Sequence, residues 1–361
     1  MVARVQDATA RGWHNAAMRI VIIMCWLTCA CGATRARYDG VAQAIARGDA
    51  PRTTSVLVMR GPAIDYERYF ADATAETLHD TRSATKSLTA LAVGIALDRR
   101  ALPGLAAPAF GYLADLAPIA HDDPPKAAIT VEDLLTMSLA LDCNDDDDAS
   151  PGNEENMYPK PVWARWAADL PVRADYQRDA TGRGPWHYCT AGVFLLGQIV
   201  QRAARQPIDQ FMAAHLFAPL GITRWEFAKS PSGEIMTGGG LRLRSRDLAA
   251  VARLMLAGGA AAGKQVIPAE FVRAALTVHR DAMPEQHYGY LFWTRSYKTP
   301  CGTATGWFMG GNGGNAIVMF RELDAVVVVT RTHYNTKGMH QQTTRLIEEQ
   351  ILPELACKPR A

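Results

Sequence analysis

The strand-forming segments of this 361-residue chain lie near its two ends, with helical patterns between them. Residues 53–70, "TTSVLVMRGPAIDYERYF", alternate β-branched and aromatic residues around a turn at Gly61-Pro62. The other end carries "HYGYLFWTR", "GWFMGG" and "AIVMFRELDAVVVVTRT", and then a last helix over roughly 337–352. Neither set is a stable sheet alone, so one sheet must be assembled from both ends of the chain. Both sets read as hairpins, which makes that sheet largely antiparallel. Between them "ITVEDLLTMSLAL" opens with Thr130 and, three residues on, Asp133, the spacing of a helix cap. "AGVFLLGQIVQRAARQ" and "SRDLAAVARLMLAGG" are amphipathic helices with clear starts and stops. The expected class is therefore α/β in the α+β sense. A sheet from about 50–80 and 286–361 is flanked by helices, and an all-α subdomain occupies about 105–285.

A net charge of +2 with both signs interspersed leaves no electrostatic footprint for nucleic acid or an anionic membrane. Residues 1–33 stand apart. They contain "MRIVIIMCWLTCACG", a basic residue followed by an apolar stretch and small residues, the plan of a secretory signal peptide or a retained N-terminal anchor. Cys31 is a candidate for lipid attachment, although Thr28 stands where such sites usually carry leucine. Residues 34–361 are then the mature domain, exported to the periplasm or the cell exterior, and membrane contact is expected only through that leader or a lipid. Four cysteines remain outside the leader, Cys143, Cys189, Cys301 and Cys357, enough for two disulfides in an oxidising compartment. The pairing expected is Cys143 with Cys189 and Cys301 with Cys357. None has metal-ligand spacing, and no motif implies a cofactor.

"TRSATKS", 81–87, runs into the apolar "LTALAVGIAL". Ser83 and Lys86 are three residues apart and share a helix face. A helix apolar almost all round is buried, and a lysine in its first turn is poorly solvated, which favours the neutral amine that can act as a base. On this stretch alone Ser83 as a simple N-cap and Lys86 as a snorkelling side chain is an equal reading. Tyr188 in "WHYCTAGVFLLG" precedes a helix that Thr190 is expected to cap; a nearby ammonium would lower its pKa and suit it to proton transfer. In "FMGGNGGNAIVMF" the glycines around Asn312 imply a close approach of a ligand or of another backbone, or a plain hairpin turn. The acidic run "DCNDDDDASPGNEEN", 142–156, reads as a solvated loop beside a cleft, and "TGGGLRLRSRDLA" as a tight backbone path before a helix begun by Ser245. The G-x-S-x-G elbow of the α/β-hydrolases is absent.

Taken in order, "SATKS", "YCTAGVFLLGQ", "GGGLRLRSRDLA" and "GNGGN" resemble the serine β-lactamase and penicillin-binding protein superfamily, over roughly residues 50–355. The likeness is greatest to its class C-related serine hydrolases: esterases, D-amino-acid peptidases and aminohexanoate-dimer hydrolases. The resemblance implies a β-lactamase/transpeptidase-like fold and hydrolysis of a small ester, amide or peptide-like substrate through an acyl-enzyme. It implies Ser83 as nucleophile, Lys86 as its base and Tyr188 as proton shuttle. The oxyanion hole would be the N–H groups of Ser83 and Asn312, with Gly311 and Gly313 beside it. Two departures stand out. Thr190 replaces the asparagine of Y-x-N, and Met309-Gly310-Gly311 lies where K-T-G is usual; "KTP" at 298–300 is a decoy, because proline interrupts an inner strand. The missing lysine argues against an efficient β-lactamase and for a neutral ester or amide. A β-lactamase or D,D-peptidase proper, or a non-catalytic penicillin-binding-like protein, are the alternatives.

Overall fold

The computed structural model describes residues 38–357. The expected leader at 1–33, with Cys25, Cys29 and Cys31, lies outside them. Among the described residues an eight-stranded antiparallel sheet is built from β1 (Thr53–Arg60), β2 (Ala63–Tyr69), β7 (Arg280–Met283), β8 (Gln286–Tyr288), β9 (Trp293–Thr299), β10 (Gly302–Gly311), β11 (Asn315–Phe320) and β12 (Ala325–Arg331). The strand order is β2-β1-β12-β11-β10-β9-β8-β7, so the two chain ends meet where β1 pairs with β12, from Thr53 opposite Arg331 to Arg60 opposite Ala325. Two-stranded ribbons add β3 (His79–Asp80) with β4 (Arg242–Leu243), and β5 (Ala260–Ala261) with β6 (Lys264–Gln265). The stretch "HYGYLFWTR", expected as one strand, is split between β8 and β9.

Both faces of the sheet are covered, and the strands show it. In β12 every residue is buried, and the four consecutive valines, Val326 to Val329, alternate between two cores. Val327 and Val329 join Val56, Val58 and Phe320 under the helix Asp39–Arg47 and the C-terminal helical run through Leu346, Ile351 and Leu355. Val326 and Val328 face the larger core with Leu57, Leu88, Leu91 and Phe194. Side chains that alternate across a strand make a continuous apolar run the pattern of a sheet buried on both sides.

Two helices of the larger core carry the site. Thr85–Asp98 is buried at every position from Thr85 to Ala96, and Thr190–Ala204 is buried from Thr190 to Val200. Gly94 lets Phe271 lie against the first of these, since a Cβ there would come within 2.5 Å of its ring. Helix Val131–Leu135 begins with the expected cap: the Thr130 hydroxyl accepts from the Asp133 N–H, and the Asp133 carboxylate accepts from the Thr130 N–H. Among the described residues no helix is long and apolar enough to cross a membrane.

Candidate active site

Ser83 sits on a single 3-10 turn, Arg82–Ala84, and the α-helix begins two residues after it, at Thr85. The reason is local. Arg82 has a φ of 49°, a left-handed conformation that an α-helix cannot contain and that costs a non-glycine residue about 1 kcal/mol. Three bonds hold it: the Arg82 N–H donates to Asp80 Oδ1 at 2.9 Å, the Thr85 hydroxyl to the Arg82 carbonyl at 2.7 Å, and the Thr81 N–H to the Leu241 carbonyl at 3.0 Å. The Arg82 guanidinium lies 4.2 Å over the Tyr334 ring. Ser83 is thereby presented, half-buried, to a cleft of about 610 Å³.

Lys86 does not snorkel. It is 1% exposed, and its Nζ donates to Ser83 Oγ at 3.1 Å and to the Gly238 carbonyl at 2.6 Å. Burial pushes the amine below its ordinary pKa, while the carboxylates of Glu154 and Asp145 pull the other way. A lysine that loses its proton readily, one hydrogen bond from a serine hydroxyl, has the geometry of a general base and its nucleophile.

The Tyr188 ring centroid lies 4.8 Å from Lys86 Nζ and stacks on Trp293 at 5.7 Å, and its hydroxyl is a hydrogen-bond neighbour of Ser83. Two expectations about this segment need correction. The helix is capped by Cys189, whose Sγ accepts the Gly192 N–H at 3.1 Å, and Thr190 is the first helical residue. The tyrosine pKa is raised, not lowered. Burial is the largest cause, the hydrogen bond with Ser83 opposes it, and the negative charges of Asp145, Glu154 and Asp146 add to it. Tyr188 is a neutral phenol here, fit to relay a proton but not to act as a phenolate.

The glycine segment comes to the same place from the sheet. Gly311, the last residue of β10, packs on the Ser83 turn so closely that a Cβ would lie 2.2 Å from the Thr81 carbonyl oxygen. Both roles expected of these glycines are found: close backbone approach at Gly311, and a hairpin turn between β10 and β11 at Gly313 and Gly314. Gly313 is a turn glycine with a φ of 90°, and its N–H donates to Met339 Sδ at 3.1 Å. Asn312 lines the cleft with Ser83, its Nδ2 donating to Asn335 Oδ1 at 2.5 Å and its Oδ1 accepting the Asn335 N–H at 2.9 Å. Met309 is fully buried, so β10 offers no cation at the K-T-G place, while the backbone N–H of Lys298, at the end of β9, bonds Glu348. Cations enter the cleft from elsewhere: Arg82, Lys229 and Arg242 line it, alongside Asp80, Glu154, Glu155 and Glu226.

Both expected disulfides form, Cys143–Cys189 and Cys301–Cys357. The first ties the acidic loop to the Tyr188 segment. In that loop Asp146, Asp147 and Asp148 are exposed, as a solvated run should be, but Asp145 turns inward. Its Oδ2 accepts the Thr190 N–H at 2.7 Å and its Oδ1 the Glu154 N–H at 2.9 Å. Asp145, Glu154 and the Gly238 carbonyl are the three groups at Lys86 that the sequence reading missed. Among the described residues no group of three or more His, Cys, Asp or Glu is placed to hold a metal ion.

A family model described as Beta-lactamase matches residues 41–351. The chain belongs to the β-lactamase family. The acyl-enzyme chemistry of these serine hydrolases is the frame into which Ser83 and Lys86 fit. The chain is 28% identical over 270 residues to the 6-aminohexanoate-dimer hydrolase of Paenarthrobacter ureafaciens, a match that takes in 73% of this chain and 66% of that relative. Two solved structures share the fold. EstCE1, a hydrolase with promiscuous acyltransferase activity, superposes with a TM-score of 0.67 at 15% identity, covering 87% of this chain and 98% of its own. A D-stereospecific amidohydrolase from Streptomyces sp. gives 0.63 at 16% identity, covering 91% and 99%.

Proposed function

We propose that this chain is an exported serine hydrolase that cleaves a small ester or amide through an acyl-enzyme on Ser83. The observation that carries the reading is the buried Lys86 amine 3.1 Å from Ser83 Oγ at the edge of an open cleft. Neutral Lys86 takes the Ser83 proton as Oγ attacks the substrate carbonyl. The oxyanion is received by the backbone N–H groups of Ser83 and Asn312. Tyr188 hands its hydroxyl proton to the leaving alcohol or amine and recovers one from the Lys86 ammonium. A water then attacks the acyl ester, giving up its proton through the same pair, and Ser83 is released with its hydroxyl restored.

Two observations narrow the substrate. Met309, buried where the K-T-G lysine would stand, removes the cation on β10 that would meet a β-lactam carboxylate. The similarity to a 6-aminohexanoate-dimer hydrolase favours a linear ester or amide over a strained ring. Export is supported by the two disulfides, which persist in oxidising compartments.

The test is intact-mass labelling with a fluorophosphonate probe, turnover of p-nitrophenyl esters, and both again with Ser83→Ala. Labelling and turnover that vanish together in the variant are the expected result. A wild-type protein that neither labels nor turns over overturns the reading in favour of a non-catalytic binding protein. Nitrocefin hydrolysis as fast as ester hydrolysis would make it a β-lactamase proper.

A further inference from the structure

Lys86 has no carboxylate in hydrogen-bond contact, yet the proposed chemistry makes it an ammonium in the middle of a buried site. An ion formed there needs a counter-charge, because desolvation of an unpaired ammonium costs several kcal/mol. The acidic loop supplies two carboxylates, Glu154 and Asp145. Asp145 is fixed on four sides: its two carboxylate oxygens accept the Thr190 and Glu154 N–H groups, its own N–H donates to the Tyr188 carbonyl at 2.8 Å, and the Cys143–Cys189 disulfide closes the loop two residues before it. The backbone that carries Tyr188 and the backbone that carries Asp145 are thus one unit.

Asp145 also serves the start of the Tyr188 helix. Cys189 already caps Thr190–Ala204 through its Sγ, so the Asp145 contact with Thr190 places a second acceptor, a charged one, at the positive end of that helix.

We propose that Asp145 is the positioning residue of this site, holding the Tyr188 segment in register with Lys86 and joining Glu154 in providing the negative charge that stabilises the Lys86 ammonium when Ser83 gives up its proton. The inference rests on the hydrolase reading above.

The charged and titratable groups around Asp145 come from four places: Lys86 on the nucleophile helix, Tyr188 before the next helix, Glu154 on the turn Glu154–Asn156 with Tyr158 bonded to its Oε2 at 2.9 Å, and Asp146 on its own loop. Burial raises the Asp145 carboxyl to about 6, with Glu154 adding to the rise and Lys86 opposing it. The sign of its effect on activity follows. Above that pH Asp145 is negative, the ammonium is stabilised and Lys86 is a stronger base. As the pH falls through it, Asp145 becomes neutral and Lys86 loses that support.

The experiment is the pH dependence of kcat and kcat/KM on a p-nitrophenyl ester, from pH 5 to 9, for wild type, Asp145→Asn and Asp145→Glu, with a thermal melt of each. Asparagine keeps an oxygen acceptor for one of the two N–H groups and removes the charge. The expected result for Asp145→Asn is a kcat plateau lowered about tenfold or more, KM within about threefold, and an acid limb of kcat/KM moved down by about one pH unit, because Lys86 with Glu154 as its only counter-charge releases its proton more readily. Asp145→Glu retains the charge and holds the limb near its wild-type position. A lowered plateau with an unmoved limb means Asp145 only packs the loop, and an unchanged plateau removes it from the mechanism; either overturns the proposal. Should Asp145→Asn show no melting transition, Asp145→Glu decides alone: a limb displaced downward despite the retained charge overturns it. Loss of Ser83-dependent turnover in the wild type is a different failure, which overturns the hydrolase reading and this inference with it.

Discussion

Gly311 is where the sheet touches the nucleophile turn, and a single methyl group there tests whether that contact sets the position of Ser83. In Gly311→Ala the new Cβ lies 2.2 Å from the Thr81 carbonyl oxygen and 3.3 Å from the Ala84 nitrogen. Carbon and carbonyl oxygen settle at about 3.3 Å or more, so strand and turn must separate by about 1 Å. Both obstructing atoms are backbone, and no side chain can rotate away. Overpacking of this kind costs about 1–3 kcal/mol of stability. The catalytic cost is larger, since a displacement of about 1 Å in a reacting group lowers the rate about 100-fold. Gly310→Ala is the control: its Cβ would meet the edge of the Phe308 ring at 3.3 Å, a contact that a shift of a few tenths of an ångström relieves. The assay is kcat on a p-nitrophenyl ester with fluorophosphonate labelling rates and melting temperatures for both variants. The expected outcome is a loss of about 100-fold in Gly311→Ala with the fold retained, and a change of no more than about threefold in Gly310→Ala. Wild-type turnover by Gly311→Ala would show that Ser83 is positioned without the strand, and the reasoning would be wrong.

Lys86→Met should abolish turnover and raise the melting temperature by about 2 °C, read by calorimetry, because a buried amine whose charged form is disfavoured gives way to an apolar side chain of similar length. The linkage sign agrees: the folded pKa of Lys86 lies below its unfolded value, so wild-type stability rises with pH above the folded pKa and levels off past the unfolded one, a slope that denaturant titrations should find missing in the variant. Tyr188→Phe keeps the stack on Trp293 and loses only the hydroxyl, so kcat should drop about 100-fold or more with KM little changed; equal loss of binding would contradict the relay role. Replacing Cys143 and Cys189 together by alanine opens a 46-residue separation and should cost about 4 kcal/mol by loop-closure entropy, seen as a lower denaturation midpoint. The same variant should lose activity below its unfolding transition, whereas the Cys301–Cys357 pair, remote from Lys86, should affect stability alone.

What the sequence revealed of this site depended on how local each feature is. Ser83 and Lys86 could be read because three residues of helix-forming chain fix their spacing, and Tyr188 because it stands at the mouth of a strongly apolar helix. The start of the nucleophile helix at Thr85 was hidden, since nothing in "TRSATKS" announces the positive φ of Arg82. Asp145 was hidden for a different reason. Beside Asp146, Asp147 and Asp148 it is one aspartate among four, and only the fold, through the Thr190 and Glu154 amides, turns one inward and leaves the others in water. The carbonyl of Gly238 carries no side chain to read at all. The pKa of Tyr188 went the wrong way because its lysine neighbour was counted, while burial and three nearby carboxylates were not visible.

The junction of β1 with β12 has a consequence in time. Thr53 finds its partner, Arg331, only after all the helices between them have been made. The strand that braces the Ser83 turn, ending at Gly311, likewise lies far along the chain from the turn it braces. Contacts so distant in sequence form slowly, because closing the loop between them costs entropy before any burial offsets it. Ser83 and Lys86 therefore stand, until β10 is in place, on a helix start that the sheet has not yet braced. Under the proposed reaction a chain built this way carries its own delay: it is inactive until β10 and β11 arrive, and a product truncated before Asn315 should be inert however well its helices form.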